Sequence, residues 1–396
     1  MAHHVAARIK NLKAYPFALI DEKVDALKAA GIDPIDFGVG DPTLPTPEAI
    51  RARLKTAAEE RAASGYPSYV GSLEFRQAAA AWIDRTFGVS LDPKTQVTST
   101  IGSKEGIFHF PLGFVEPGDC VLCPSPGYPP YPRGTLFAGG TPVSLPLLKK
   151  NGFLPDLDAV PDAVAERTRI LWLCYPNAPT GALAPDSFFE KAIAWGRERN
   201  ILVVNDEAYI DLYYGEKPRS ILEFGTEGVV AFFSMSKRSA MTGWRIGWTA
   251  GDADAIATFR KVKTNIDSGT PTFIQDAAIA GLEDETHVEG MRTHYREKRD
   301  LLAACFREMG LPDSAPDATI HYWQELPEGL DALTFAERLL AKDIAVVGTP
   351  GPWLADECPG GVHPGKGFFR LSMVASLDDT KRACERMLKH KARLLA

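Results

Sequence analysis

The stretch that most constrains the fold runs from Val229 to Gly251, VVAFFSMSKRSAMTGWRIGWTAG. It opens with a short apolar run rich in β-branched and aromatic residues, which predicts a buried strand ending at Ser234. Hydroxyls, one amine and one guanidinium follow directly, from Ser234, Ser236, Lys237, Thr242 and Arg245. Because ligands of α/β sheets bind where strands end, this stretch predicts a binding site centred on Lys237.

The residue types around Lys237 suit a ligand that carries both a phosphate and an aldehyde. Small hydroxyls and an Arg offer hydrogen-bond donors to phosphate oxygens. A lysine amine in a dry site near positive charge has a lowered pKa, keeps a free lone pair and can form a Schiff base. The two groups together indicate pyridoxal phosphate. A solvated surface turn is the alternative that this stretch alone leaves open.

Two apolar runs upstream end in side chains that fit the same cofactor. Residues 201–205, ILVVN, predict a strand, and Asp206 follows it. A carboxylate there can pair with a protonated pyridine nitrogen, which makes the ring an electron sink. Residues 169–175, RILWLCY, predict another strand, followed by Asn177. Three strands therefore deliver Asn177, Asp206 and Lys237 to one edge of a sheet.

Four motifs in this order, YPNAPTG, NDEAY, SMSK and TGWRIGW, resemble the fold type I pyridoxal-phosphate aminotransferases of class I/II. The resemblance covers nearly the whole chain. Within that family, YPSYVGSLEFR, IGSKEGIFH, PSPGYPPY, LFAGG, NGFLPDLD and KTNIDSG are most similar to LL-diaminopimelate aminotransferases. Two positions depart from the commonest pattern, because Ala178 stands where a second Asn is usual and Arg238 where Thr is more typical. We expect neither departure to remove a group that the chemistry needs.

The resemblance implies an α/β fold of two domains. The large one, residues 36–283, is expected to contain a mostly parallel seven-stranded sheet flanked by helices. The smaller α+β domain is expected to combine an N-terminal arm, residues 1–35, with residues 284–396. The residues themselves agree: strands and helices alternate to about residue 283, and a long charged helix is predicted from about 287 to 309. With 396 residues, the chain is long enough for two cores.

By resemblance, the catalytic residues are Lys237, Asp206 and Tyr209. Lys237 is expected to form the Schiff base and to move a proton, while Asp206 keeps the ring nitrogen protonated. Asn177 and Tyr209 are expected to hydrogen-bond the phenolic oxygen of the cofactor.

The expected cofactor contacts are Tyr69, Ser103, Lys104, Tyr128, Asn177, Asp206, Tyr209, Ser234, Ser236, Lys237 and Arg245. Ser103 and Lys104 open a helix predicted from 103 to about 114, so their N–H groups suit a phosphate. A proline-rich turn fixes Tyr128 for stacking on a ring, whereas Tyr131 is expected in the core. The resemblance implies that Tyr69 reaches the cofactor of a neighbouring subunit, which makes the active form a homodimer.

The expected substrate contacts are Tyr15, Gly40, Asn177 and Arg370. An Arg in the apolar strand at 367–372 must find an anion, and the resemblance implies the substrate α-carboxylate. A structural salt bridge is the alternative. Gly40 ends a strand predicted at 35–40 and is expected to let the backbone approach that carboxylate. Polar groups at 263–269 are candidates for the pocket that binds the far end of the substrate.

The resemblance implies amino-group transfer from LL-2,6-diaminopimelate to 2-oxoglutarate, in lysine biosynthesis. The same cofactor residues would serve an alanine, aspartate or aromatic aminotransferase, an N-succinyl-diaminopimelate aminotransferase or a β-lyase. A cofactor-binding transcriptional regulator is a different class, but it needs a DNA-binding module, and the fold is expected to begin within about forty residues.

Charge and composition exclude several other classes. A net charge of −7, from 44 basic and 51 acidic residues, makes nucleic acid and anionic membranes unexpected partners. No apolar run approaches the ~18 residues that span a bilayer, and no signal-peptide pattern is present, so we expect a cytoplasmic enzyme of small molecules. No metal site is expected: Cys120 and Cys123 stand in an apolar run without further ligands, and all six cysteines are expected to be buried thiols. Dinucleotide and Walker motifs are absent from the sequence.

Overall fold

A computed structural model describes residues 3–10, 12 and 18–396, with residues 18–21 described by their backbone alone. Tyr15, predicted to contact the substrate, lies outside the described residues. The α-helices of the described chain are α1 (Ala7–Lys10), α2 (Ala18–Ala29), α3 (Glu48–Glu60), α4 (Leu73–Phe87), α5 (Ser103–His109), α6 (Pro130–Ala138), α7 (Asp162–Ala165), α8 (Asp186–Glu198), α9 (Met235–Arg238), α10 (Ala253–Lys263), α11 (Thr272–Glu283), α12 (Thr286–Met309), α13 (Ala332–Leu339), α14 (Leu377–Lys389) and α15 (Lys391–Leu395).

The strands of the described residues fall into three sheets. They are β1 (Ile35–Asp36), β2 (Val97–Thr100), β3 (Cys120–Ser125), β4 (Thr141–Pro146), β5 (Thr168–Leu173), β6 (Leu202–Asp206), β7 (Val229–Ser234), β8 (Gly247–Gly251), β9 (His321–Glu325), β10 (Val346–Val347), β11 (Thr349–Pro350) and β12 (Phe368–Ser372). The largest sheet has seven strands in the order β2-β8-β7-β6-β5-β3-β4. Strand β8 runs antiparallel to the other six strands, which are parallel to one another, so the predicted mostly parallel seven-stranded sheet is confirmed.

Both faces of the large sheet are covered by helices, and the alternation of side chains along each strand supplies both cores. In β5, Leu171 and Leu173 pack with buried residues of α4, α8 and α11 on one face. Ile170 and Trp172 pack with residues of α5, α6 and α10 on the other face. This double burial explains why the central strands are continuous apolar runs in the sequence.

The smaller sheets share a separate core. Strands β11, β12 and β9 form an antiparallel sheet, and β1 pairs with β10 in parallel. Their apolar side chains pack with α12, α13 and α14 in one cluster that also contains Phe37. The predicted division at 35/36 and 283/284 stays a prediction: the separate cluster supports it, although the first boundary falls inside β1.

Two predicted elements are shorter in the structure. The helix predicted from Ser103 to about residue 114 is α-helical only to His109 and continues as a 3₁₀ helix, Phe110–Gly113. Pro111 explains the change, because it lacks an N–H and crowds the preceding turn. The strand predicted at 35–40 stops at Asp36, whose Oδ1 accepts from the Gly38 N–H at 2.6 Å and turns the backbone away.

All six cysteines are buried and unbridged. Within the described part of the chain, no helix combines the length and the apolar character needed to cross a membrane.

Candidate active site

The carboxyl ends of β5, β6 and β7 meet at one edge of the large sheet, because these three strands are parallel neighbours. A cavity of about 660 Å³ lies there. Its walls include most of the residues predicted from the sequence: Gly40, Ser103, Lys104, Tyr128, Asp206, Tyr209, Ser234, Ser236, Lys237, Arg245 and Arg370. The structure therefore brings these side chains together, as the order of the strands requires.

Lys237 lies in the single turn of helix that follows β7. The hydroxyl of Ser234 accepts from the Ser236 N–H at 3.1 Å and so caps this turn. The Lys237 Nζ donates to the carbonyl oxygen of Gly40 at 2.6 Å. Burial lowers the pKa of Lys237 to about 8, and the charge of Arg245 adds to this against the opposing effect of Asp41. A substantial fraction of this amine is thus neutral near physiological pH.

Arg238, one of the two departures from the family pattern, holds the Lys237 turn in place. Its fully buried guanidinium donates to Asp211 Oδ2 and Glu285 Oε1, both at 2.7 Å, and to the Gly281 carbonyl at 2.9 Å. It therefore ties the turn to α11 and to the start of α12. The expectation that this departure removes no needed group agrees with these contacts.

Arg245 closes one end of the cavity. Its guanidinium donates to the Thr242 carbonyl at 2.6 Å and packs so closely on Gly102 that any Cβ there would collide with it. Gly102 is the residue before α5, so the guanidinium lies beside the N-terminal turn that carries Ser103 and Lys104. Several positively polarised donors thus converge at this end of the cavity.

Asp206, the last residue of β6, faces the cavity from a buried setting. Burial raises its pKa to about 6, against hydrogen bonds from the Tyr131 hydroxyl at 2.8 Å and the Ala208 N–H at 3.1 Å. Tyr131 is buried as predicted and stacks on Trp172, with ring centroids 5.1 Å apart. Sequence reasoning assigned Tyr131 to packing alone and missed that it orients Asp206.

Tyr128 and Tyr209 form further walls of the cavity. Tyr128 is more than a third exposed and meets Tyr131 edge to face. The Tyr209 hydroxyl lies 3.1 Å from His321 Nε2. The sequence gives no signal for this contact, because the partners of His321 lie far away in the chain.

The structure does not place the side chain of Asn177 in the cavity. Its side chain is fully buried and committed to its own loop: Nδ2 donates to the Cys174 carbonyl at 3.1 Å, and Oδ1 accepts from the Thr180 hydroxyl at 2.6 Å. Asn177 is thus not among the residues that line the cavity, whereas Ala178 is. The predicted contacts of Asn177 with cofactor and substrate stay predictions, and the departure at Ala178 leaves a methyl group on the cavity wall.

Arg370 enters the cavity from β12. Its guanidinium donates to the Gly38 carbonyl and to the Thr349 hydroxyl, the latter at 3.1 Å. Both acceptors are neutral, so these two contacts orient the positive charge without cancelling it. Gly40 lies opposite, where a Cβ would come within 2.6 Å of His321 Cε1. Glycine is needed there because the imidazole occupies the space of a side chain.

Tyr69 is 44% exposed and is not part of the cavity wall. Its predicted contact with the cofactor of a neighbouring subunit stays a prediction.

The segment 263–269, proposed for the far end of the substrate, also lies outside the cavity of its own chain. Lys263 is fully buried in an ion pair with Asp267, and Gly269 packs against the Ser68 carbonyl. This segment therefore adjoins the region of Tyr69 rather than Lys237.

Comparisons with known proteins agree with this site. Residues 32–387 match the family described as aminotransferase class I and II. The LL-diaminopimelate aminotransferase of Aquifex aeolicus is 44% identical over 384 residues, which cover 96% of this chain and 97% of that protein. The protein of the same name from Syntrophobacter fumaroxidans is 44% identical over 393 residues, covering 98% and 99%.

Solved structures of the same shape include substrate-bound BacF from Bacillus subtilis, with a TM-score of 0.90, 32% identity and 98% of both chains covered. A single mutant of Thermus thermophilus aspartate aminotransferase has a TM-score of 0.89 and 28% identity, covering 98% of this chain and 100% of that one. A probable N-succinyldiaminopimelate aminotransferase, also from Thermus thermophilus, has a TM-score of 0.86 and 33% identity, covering 94% of this chain and 99% of that one. The family match over residues 32–387 and the identity to these relatives show that the chain belongs to the class I and II aminotransferases.

Proposed function

We propose that this enzyme uses pyridoxal phosphate to transfer an amino group from LL-2,6-diaminopimelate to 2-oxoglutarate. The family supports the reaction type, and the relatives named LL-diaminopimelate aminotransferase, at 44% identity over nearly the full length, support the donor.

The observation that carries the proposal is the setting of the Lys237 amine. It lies in the cavity with a pKa lowered to about 8, and its hydrogen bond goes to the neutral carbonyl of Gly40. A partly neutral amine can attack an aldehyde, and once released it can take a proton from the Cα of a substrate.

The donors around the cavity fit the two ends of pyridoxal phosphate. Arg245, the hydroxyls of Ser234 and Ser236 and the N–H groups at Ser103 and Lys104 suit the phosphate. The close packing of Arg245 on Gly102 supports this assignment, because it fixes the guanidinium beside those N–H groups.

Asp206 and its neighbours suit the ring. When bound, pyridoxal phosphate supplies an aldehyde for amines and a ring that withdraws electrons from the substrate Cα. Asp206 would hold a proton on the ring nitrogen, and a cation there would lower the raised pKa of this carboxyl. Tyr131 orients Asp206, Tyr209 offers a hydroxyl at the ring, and Tyr128 offers a face for stacking.

Arg370 would bind the α-carboxylate that both substrates share. The cavity walls carry four basic side chains, Lys104, Lys237, Arg245 and Arg370, against two acidic ones, Asp41 and Asp206. This excess of positive charge suits a phosphate and a carboxylate bound together.

A donor comparison tests the substrate. We expect kcat/KM with LL-diaminopimelate to exceed that with alanine, aspartate and phenylalanine by about a hundredfold or more, the range that polar recognition of a side chain provides. N-succinyl-diaminopimelate is the main rival, because one structural relative carries that name. A better rate with the succinylated donor would overturn the substrate and leave the reaction type standing.

Arg370→Gln is the matched control for that comparison. Every donor carries an α-carboxylate, so we expect kcat/KM to fall by a similar factor of about 10 to 100 for all of them. The ranking of donors should survive, since the far end of the substrate is not read by Arg370.

We further propose a homodimer in which Tyr69 completes the site of the partner. Its exposure outside its own cavity supports this. Mixing inactive Lys237→Ala protomers with Tyr69→Phe protomers should regenerate some activity; absence of activity despite verified subunit exchange would place Tyr69 in its own site. The cytoplasmic location stays a prediction.

A further inference from the structure

His321 is a buried titratable side chain of the cavity to which the reaction proposed above gives no role. It is the first residue of β9 and is 5% exposed. Its Nε2 lies 3.1 Å from the Tyr209 hydroxyl, and its Nδ1 lies 3.1 Å from the Ser372 hydroxyl. The imidazole therefore bridges the Tyr209 wall of the cavity and the strand that carries Arg370.

The backbone and one glycine fix the imidazole in this bridge. His321 and Ser372 are directly opposite residues of the antiparallel pair β9 and β12, so their side chains lie on the same face. On the other side, Cε1 occupies the space that a Cβ of Gly40 would need. The ring thus packs between β12 and Gly40, with little room to turn.

The surroundings keep the imidazole neutral. Burial holds the pKa of His321 well below its ordinary value, and the positive charges of Arg370 and Lys237 lower it further. Tyr209, the other titratable group of the bridge, has a pKa raised by burial and by Cys174 and Asp206. A neutral imidazole carries one N–H and one lone pair, so its two nitrogens must play opposite roles.

The Ser372 hydroxyl decides which nitrogen carries the proton. Ser372 is fully buried, and His321 Nδ1 is the only side-chain partner of its hydroxyl among the described residues. A buried hydroxyl proton needs an acceptor, and Nδ1 is the acceptor at hand. The imidazole proton then lies on Nε2 and is donated to the oxygen of Tyr209.

We propose that His321 is a positioning residue that directs the hydroxyl proton of Tyr209 into the cavity. The chain of donors runs from the Ser372 hydroxyl to Nδ1, and from Nε2–H to the Tyr209 oxygen, so the Tyr209 proton is left to donate to an oxygen of the bound cofactor. Ala178 offers only a methyl group on this wall, and the buried amide of Asn177 cannot replace the donor. The inference rests on the proposed function.

The visible absorbance of the holoenzyme tests the inference without measuring turnover. The absorbance changes with pH, and the midpoint of that change reports the proton on the Schiff-base nitrogen at Lys237. A donor to the ring oxygen stabilises negative charge there and weakens the hold of that oxygen on the nitrogen's proton. Loss of the donor should therefore raise the midpoint: by about one pH unit for Tyr209→Phe, and by about half as much for His321→Phe, which disorients the hydroxyl without removing it.

Two further variants separate positioning from general damage. His321→Gln retains an N–H at a comparable reach, so its midpoint should rise less than that of His321→Phe. Tyr322→Phe alters the next residue of β9, which packs in the small core away from the cavity, and should leave the midpoint unchanged. If His321→Phe does not yield folded protein, Ser372→Ala takes its place and should raise the midpoint by a smaller amount, because the tautomer is no longer fixed.

The double variant Tyr209→Phe/His321→Phe gives the sharpest outcome. If His321 acts through Tyr209, the double variant has the midpoint of Tyr209→Phe alone. A full further rise would overturn the inference, as would an unchanged midpoint in His321→Phe.

The sign of the shift also discriminates. A fall in the midpoint of His321→Phe would mean that Tyr209 donates to His321 in the parent enzyme, the reverse of the assignment. A different failure, in which no visible band forms or the pH dependence of the band persists in Lys237→Ala, would overturn the proposed function itself.

Discussion

Lys237 and Lys263 are both withdrawn from solvent, but their surroundings differ in the number of carboxylates. Lys263, the last residue of α10, is fully buried, with Nζ 3.1 Å from Glu105 Oε2 and 2.9 Å from both oxygens of Asp267. Lys237 Nζ instead meets the neutral carbonyl of Gly40. The same side chain is therefore a structural cation in one place and a partly neutral amine in the other.

The carboxylates show the mirror image of this difference. Burial opposes the ionisation of Glu105, but His109, Lys263 and the Ile101 N–H together hold its pKa below the ordinary value. Asp206 lacks such a cation, and burial raises its pKa to about 6. Around Lys263 the charges cancel within the protein, whereas Lys237 and Asp206 are left for a ligand to complete.

A lowered pKa alone does not identify the reactive lysine. Burial also lowers the pKa of Lys298 to about 8, yet Nζ of Lys298 donates to the Met373 carbonyl and lies outside the cavity. What distinguishes Lys237 is the combination of a lowered pKa with a cavity and convergent donors.

The largest expected effect is that of Lys237→Ala. Removing the amine eliminates both the Schiff base and the proton carrier, so we expect turnover to fall by at least about a thousandfold and the pH-dependent change of the visible band to disappear. Borohydride reduction followed by peptide mapping identifies the modified lysine. Covalent cofactor at Lys263, Lys298 or any other lysine would break the contrast drawn above.

Asp206→Ala tests whether the carboxylate of Asp206 serves turnover rather than stability. We expect kcat to fall by about a hundredfold, because the ring nitrogen loses the charged partner that keeps it protonated. Stability of the cofactor-free enzyme should change little, because removal of an ionised carboxylate that opposes folding at neutral pH offsets the loss of the hydrogen bonds from Tyr131 and Ala208. Thermal unfolding and single-turnover kinetics measured on the same sample separate the two effects; near-normal turnover would remove Asp206 from the mechanism.

Lys263→Met should do the reverse and cost stability rather than chemistry. It leaves the partly buried carboxylates of Glu105 and Asp267 without this cation, which we expect to destabilise the fold by about 3 kcal/mol. Folded protein should still form the visible band at Lys237. Denaturant unfolding and absorbance of the same sample check both statements, and a loss of the band from fully folded protein would contradict them.

The contrast between these sites also marks what sequence alone could predict. Lys237, Asp206 and Arg370 follow or occupy apolar strands, so strand order placed them in the cavity. Asn177 lies in an irregular loop, where no periodicity tells which way an amide points, and the structure turns its side chain into that loop.

His321 shows a second limit of the sequence. Its partners, Tyr209 and Ser372, are 112 and 51 residues away, and no local pattern connects them. The ion pair of Lys263 with Glu105 spans 158 residues and was hidden for the same reason. The fold brings such partners together through sheet register and helix packing. The resemblance implied the fold but not these side-chain contacts.

Lys298→Met gives the smallest effect and tests whether a low lysine pKa outside the cavity carries any function. Because the folded pKa of Lys298 is about 8 and its ordinary value is 10.5, the unfolded chain binds a proton between these values that the folded chain does not. Stability of the cofactor-free enzyme should therefore rise with pH from about 8 to 10.5, and Lys298→Met should remove its share of that rise.

Below pH 8 both states are protonated and the charged amine opposes folding, so at about pH 7 Lys298→Met should be more stable. We expect a gain of only about 1 kcal/mol, because the Met373 carbonyl loses its donor. Melting temperatures at about pH 7 and about pH 10, together with kcat at the lower pH, check this. A large loss of kcat in a stable Lys298→Met enzyme would mean that lysines of lowered pKa act outside the cavity as well, and that the surroundings of Lys237 are not what sets it apart.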